Sequence, residues 1–362
     1  MEFSAPVLVQ SNTSLLNTHF CLLLSNQILF KGVVFKSTNL VVSPLSLHIL
    51  LSLVAAGSKG RTLEQLLFFL RSTSVSYLNL LSSQIVFLAS LVEGSDQNNE
   101  FLVDHGPLLS FVNGAWVDQR FKLKPSFEGI VKRSCRAQLE NVDFLNKAEE
   151  ALEEVNFWAE NASNGLIKEC LPSGSLNSET APVLANALYF KGTWDQEFDP
   201  SRTHLRDFHL LNGQSFGVPF MTTERNVNHL YGSFDGYKVV QIPYKSGQDS
   251  RRFSMYFFLP NEKHGLPNLI QTLKFKSDFF YQQLKLMNVH LSEFWIPKFK
   301  FSFKFEASEI MKEMGLKFPF TDGEVTEMVD CLNCDKFYVS NIFHHSHIEV
   351  NEESTEAVAI FI

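Results

Sequence analysis

The residues best suited to chemistry lie near the end of the chain, where Cys331 and Cys334 are followed by His344 and His347. Thiolates and imidazoles grouped this way are the ligands of structural zinc. The arrangement is C-x2-C-x9-H-x2-H, whereas zinc fingers use a longer middle spacer and a wider histidine pair. The histidines also fall three apart in an alternating strand pattern, which sends them to opposite faces. No metal and no cofactor is therefore expected. Hydrolytic or phosphate chemistry has no better support. The chain holds no G-x-S-x-G elbow, no H-E-x-x-H pair and no Walker A loop. The expectation is a non-enzyme.

A different kind of chemistry, conformational rather than catalytic, is written into residues 344–362, HHSHIEVNEESTEAVAIFI. HSHIEV alternates as a strand does, with Ile348 and Val350 on one face. Beyond Asn351, Glu352, Glu353 and Glu356 favour water, while Thr355, Ala357 and Ala359 give one face only small side chains. Such a segment suits a solvated loop and also suits insertion into a sheet, which suggests a two-state element. The plainer alternative is an edge strand running into a charged tail.

Composition sets bounds on the whole. The chain has 362 residues, 45% of them hydrophobic, with 35 Phe, enough for a large packed core. A net charge of −8 and a pI near 5.8 disfavour a nucleic-acid partner. The five cysteines, Cys21, Cys135, Cys170, Cys331 and Cys334, are odd in number and scattered, so reduced thiols are expected. MEFSAPVLVQSNTS lacks the basic and apolar regions of a signal peptide, and the apolar stretch Cys21–Leu24 is too short for a bilayer. A cytoplasmic protein without membrane attachment is the expectation.

The elements that must position the C-terminal segment are legible in part. Residues 1–38 carry little periodic signal. Ser43-Pro44 is a helix start, with serine as N-cap and proline in the first turn. Leu45 to Ala56 is apolar all round, a buried helix ended by Gly57, and Thr62 with Gln65 reads as a capping box for the next helix. Residues 146–165 form an amphipathic helix with Val155 and Trp158 on one side, ended by Asn164-Gly165. APVLANALYFKGTW is a strand with Leu184, Asn186, Leu188 and Phe190 on one face, and further strands follow to Gly315. Asn186 is an amide on an apolar face, and Ser43 and Ser46 flank the mouth of a buried helix. Buried polar groups need partners, and His344 could complete a cluster with them. The alternative is a plain cap and a lone satisfied amide.

Several strings together resemble the serpin family, plant serpins above all. They are the hinge-like EVNEESTEA, V-x-SP-x-S-x-x-x-x-L-x-x-x-AAG-x-x-G-x-T around the buried helix, and NALYFKG-x-W. The match runs from about residue 40 to 362 without an internal repeat or linker, so 1–362 is expected to be one domain. The resemblance implies an α+β fold of three β-sheets ringed by about eight or nine helices. It implies a hydrogen-bonded shutter of Ser43, Ser46, Asn186 and His344, a breach at Trp194, and a reactive-loop hinge of Glu352, Glu353, Ser354, Thr355, Glu356, Ala357, Val358 and Ala359. It also implies a monomeric inhibitor of serine proteases, or of papain-like cysteine proteases, that traps its target when the cleaved loop inserts into the central sheet. Extracellular action is a further implication.

Departures from the family pattern set the remaining expectations. The chain stops at Ile362, inside the loop, so a reactive bond and the family's last strands are expected to be absent. The chain as it stands should then form no covalent protease complex, and could be a non-inhibitory relic that at most binds partners. Ser354 stands where the family has Gly, which is expected to stiffen the turning point. Phe361 shares a face with Ala357 and Ala359, and inserting its ring is expected to crowd space shaped for small side chains. Strands such as Phe253 to Leu259 are expected to leave apolar side chains facing a gap.

Overall fold

Helix formation begins earlier than the weak N-terminal periodicity indicates. α1 spans Leu8–Lys31, and Phe20, Leu24 and Ile28, spaced by four, are buried as one stripe. The computed structural model describes residues 8–31, 38–90, 106–210, 212–224, 227–247, 251–275, 284–321, 324–330 and 338–362. Cys331 and Cys334 lie outside them.

α1 packs on α2, Pro44–Ala56, whose residues 46–55 are all buried. The Ser43 side chain accepts from Ser46 N, and Gly57 closes the helix by donating to Leu53 and Val54 carbonyls. α3, Gly60–Phe69, starts before Thr62 and has no side-chain cap from its own N-cap residue. The expected capping box is not formed. Glu324 Oε2 accepts from Thr62 N at 3.0 Å, and Gln65 Oε1 accepts from Lys317 N and Phe318 N instead. α4 follows at Val75–Ser90.

β1 (Leu108–Asp118), β2 (Lys122–Leu123), α5 (Pro125–Arg133) and β3 (Gln138–Val142) lead to α6, Phe144–Ala162. Asp143 caps α6 by accepting from Asn146 N at 3.0 Å. The helix ends where Asn164 and Gly165 turn to φ 53° and 80°, a left-handed pair that glycine tolerates without cost. Then come β4 (Pro182–Thr193), β5 (His204–His209), β6 (Ser215–Met221), β7 (Asn228–Phe234), β8 (Tyr237–Pro243) and β9 (Ser254–Pro260). α7 (Leu266–Phe275), β10 (Met287–His290), β11 (Ile296–Pro297), β12 (Phe299–Glu306) and α8 (Ser308–Glu313) precede β13 (Val329–Asp330), β14 (Phe343–Val350) and β15 (Ser354–Phe361).

The sheets are a six-stranded β12-β14-β15-β4-β1-β3, a four-stranded β10-β7-β8-β9, a three-stranded β11-β6-β5 and a two-stranded β13-β2. The architecture is α+β. Two apolar layers sandwich the central sheet. On one face Leu47, Leu50 and Leu51 of α2 join Phe20, Val117 and Phe361. On the other, Val155 and Trp158 of α6 join Trp116, Ala185, Val358 and Ile360. α6 thus lies across the front of the sheet and α2 behind it. Among the described residues β9 pairs with β8 on one side only, and its Tyr256 and Leu259 are exposed while Met255 and Phe257 are half-buried. Among the described residues no helix is long and apolar enough to cross a membrane.

Candidate functional site: the interior strand and its clasps

β15 is the site. It runs antiparallel to both neighbours, pairing Thr355–Phe361 with β14 and Ser354–Phe361 with β4. Its side chains alternate between the two cores. Val358 and Ile360 face α6, while Ala359 and Phe361 face the α2 side. The segment with two suitable environments therefore occupies the sheet.

The turn into β15 is built by Asn351. Its Oδ1 accepts from Glu353 N at 3.0 Å and Ser354 N at 2.9 Å, and its own N–H donates to Ser354 O. Ser354 already lies in extended strand and is not among the positive-φ residues. In this strand Ser354 needs no glycine-like conformation, because Asn351 makes the turn.

Above the turn sits a clasp. Trp194, fully buried, donates from Nε1 to Asn351 O at 2.9 Å and stacks on Tyr244, centroids 4.6 Å apart and 10° from parallel. Trp194 N donates to Glu353 O and Phe198 N to Glu352 O. Glu352, taken in the sequence for a solvated residue, is anchored by Thr203 Oγ1 at 2.7 Å and Lys298 Nζ at 2.7 Å. Burial pushes its pKa up, but these donors outweigh it and hold the carboxyl below the usual range. Glu356 accepts from the Tyr189 hydroxyl, and Glu353 remains exposed.

Ser46, Asn186 and His344 are buried and Ser43 half-buried, yet the four do not converge. The register places Phe361 between His344 on β14 and Asn186 on β4. Two strand spacings, about 10 Å, therefore separate them. The hydrogen-bonding reach expected between Asn186 and His344 is corrected on this point, because β15 lies between their two strands. Asn186 Nδ2 donates to Asn113 Oδ1 at 2.8 Å, and Asn113 Nδ2 donates to Cys135 O at 2.7 Å. Asn186 Oδ1 is buried without a partner.

Ser43 and Ser46 pair with each other, Oγ to Oγ 3.0 Å. The link from β14 to the start of α2 runs through Val41 O, which accepts from Ser346 Oγ at 2.7 Å and lies 3.3 Å from His344 Nε2. His344 Nδ1 is 3.1 Å from Ile360 O. Burial outweighs both carbonyls and pushes the imidazole down to about 4, so it is neutral at pH 7.

Asn113 and Val41 are the members that sequence reasoning missed. An amide between Val112 and Gly114 on an otherwise apolar strand was a signal for Asn113. A backbone carbonyl leaves none. The ring of Phe361 is also better housed than its size implied, being fully buried in the layer beneath α2. His344 and His347 face opposite sides, His347 Nδ1 meeting Ser302 Oγ at 2.9 Å. No cluster of three metal-capable side chains occurs among the described residues.

The family described as Serpin (serine protease inhibitor) matches residues 15–361. Serpin-ZX of Arabidopsis thaliana is 46% identical over 328 residues, covering 90% of this chain and 81% of that one. Serpin-Z7 of Hordeum vulgare is 42% identical, covering 89% and 79%. Among solved structures, Arabidopsis AtSerpin1 in its native stressed conformation superposes with a TM-score of 0.83 at 42% identity, covering 94% of this chain and 84% of that one. A cleaved Serpin 42Da gives 0.82 at 28% identity, covering 96% and 89%.

Proposed function

Because the chain belongs to the serpin family of protease inhibitors, we propose that it traps proteases by inserting Ser354–Phe361 into its central sheet. The observation that carries this reading is β15 itself, paired on both sides between β14 and β4. Insertion satisfies the strand's backbone groups and buries Val358, Ile360 and Phe361. Each such side chain contributes about 1.5–3 kcal/mol on leaving water, free energy that a trapping step would use. In this reading Trp194, with Glu352 and Glu353, forms the breach where insertion begins. Residues 352–359 are the hinge. Ser43, Ser46, Asn186 and His344 form the shutter through which the strand passes, and Phe361 parts Asn186 from His344 as it arrives.

The targets we assign are serine-type endopeptidases, with papain-like cysteine proteases second. We assign the cytoplasm as compartment and a monomer as the acting form. The buried thiols of Cys135 and Cys170 fit a reducing environment.

A second reading is favoured by the size of the inserted side chains: a non-inhibitory protein in which Val358, Ile360 and Phe361 hold β15 permanently in the sheet. Incubation of the protein with trypsin, chymotrypsin and papain, followed by denaturing gels, separates the two. A stable band of summed mass supports the inhibitor. Simple cleavage, or no change with all three enzymes, contradicts it and leaves the second reading.

A further inference from the structure

Where β4 ends, the chain turns through Trp194 and opens a cleft of 230 Å³ against β7, β8 and β10. Its floor is aromatic. Phe198 and Phe294 are buried and lie 14° from parallel, centroids 6.3 Å apart. His229 stacks on Phe294 at 3.8 Å and is held there by Thr223 Oγ1, 3.0 Å from its Nε2. Burial, helped by nearby His290, lowers the pKa of His229, so the imidazole is neutral at pH 7.

The rim is polar, and three of its side chains are not used by the fold. The side chains of Asp195, Asn228 and Asn288 line the cleft, are exposed, and make no hydrogen bond or ion pair with the described residues. Asp195 is held only through its backbone, N–H to Pro243 O at 3.0 Å. No Lys or Arg is among the lining residues.

From this arrangement we propose that the cleft binds a small planar aromatic amine of the aminopurine type. A flat ring fits over the half-buried His229, itself stacked on Phe294. Primary amides supply both a donor and an acceptor, the pattern that ring nitrogens and an exocyclic amine require. The lone carboxylate of Asp195 accepts from the amine and disfavours anions, and no cationic side chain offsets that preference. Apolar floors with a few convergent polar groups are the usual form of small-molecule sites.

Occupancy also bears on β15. Phe198 forms the cleft floor and its amide holds Glu352 O, while the amide of Trp194, next to Asp195, holds Glu353 O. A ligand that orders this segment stabilises the clasp on the inserted strand. This coupling rests on the insertion reading, whereas the binding itself does not.

Adenine is the probe, titrated calorimetrically into the full chain, with benzoate and cyclohexylamine as anionic and non-planar controls. Saturable one-to-one binding of adenine alone is expected, with Asp195→Asn and Asn288→Leu each weakening it at least about tenfold. Both positions are exposed, so an unchanged thermal transition verifies that the variants fold. Absence of saturation up to about 10 mM, or binding indifferent to both substitutions, overturns the proposal. Hydrogen exchange should slow at the Trp194 and Phe198 amides when adenine is bound, and unchanged exchange overturns the coupling. Adenine binding without a covalent protease complex leaves this inference standing and removes the inhibitory one.

Discussion

The ring of Phe361 lies on the imidazole of His344, centroids 4.0 Å apart and 21° from parallel. That contact explains why two buried polar residues expected to meet do not. On its other side Phe361 pairs with Asn186, whose Oδ1 is left without a partner. The ring thus fills the space between β14 and β4 at this register.

Replacing Phe361 by Ala should open a cavity there. Phenylalanine-to-alanine changes in packed cores cost about 3–5 kcal/mol, and Phe361 is fully buried. Urea unfolding of Phe361→Ala should show a loss of that size. A loss under about 1 kcal/mol would mean that the ring is not seated in the core.

The histidines make stability depend on pH. His344 and His48 are both pushed down to about 4 by burial. In the unfolded chain they titrate near 6.5. Above that pH both states are neutral and stability is constant. As pH falls toward 4 the unfolded chain binds protons first, so stability declines by at most about 1.4 kcal/mol per pH unit for each histidine. Urea midpoints at pH 7.5, 6 and 5 should fall in that order, and His344→Gln should reduce the slope. Midpoints independent of pH in both proteins would contradict this.

Much of the frame was legible in the sequence, and the reasons are local. Ser43-Pro44 and Asn164-Gly165 carry their own backbone chemistry, so the start of α2 and the end of α6 could be read directly. The serpin strings added the order of the strands. α1 was missed because its stripe of Phe20, Leu24 and Ile28 is interrupted by polar residues, and its packing on α2 is a tertiary fact. The capping of α3 failed for the same reason, since Glu324 reaches in from far along the chain. Residue types alone could not decide whether 354–361 lay inside or outside the sheet. That depends on whether β14 and β4 stand apart, which no local pattern encodes.

Trp194 ties the clasp to the turn, and its indole N–H matters beyond its bulk. Trp194→Phe keeps a ring against Tyr244 but leaves Asn351 O without its donor. Losing a buried partner costs about 1–3 kcal/mol. Thermal unfolding should show that loss, accompanied by faster exchange of the Glu353 and Ser354 amides that Asn351 holds. Unchanged exchange at both would remove the clasp from the account.

β9 offers a separate test. With one neighbour among the described residues and with Tyr256 and Leu259 exposed, the protein should bind a hydrophobic dye. Leu259→Lys should lower that fluorescence and raise solubility. Dye binding equal in the two proteins would place the apolar surface elsewhere.

The central claim is that residues 354–361 form an interior strand of the six-stranded sheet. Native-state hydrogen exchange of the full chain tests it most directly. The amides of Thr355 to Phe361 should exchange as slowly as those of β4, opening only with global unfolding. Exchange of these amides within seconds, while β4 stays protected, would show the segment outside the sheet and contradict the account.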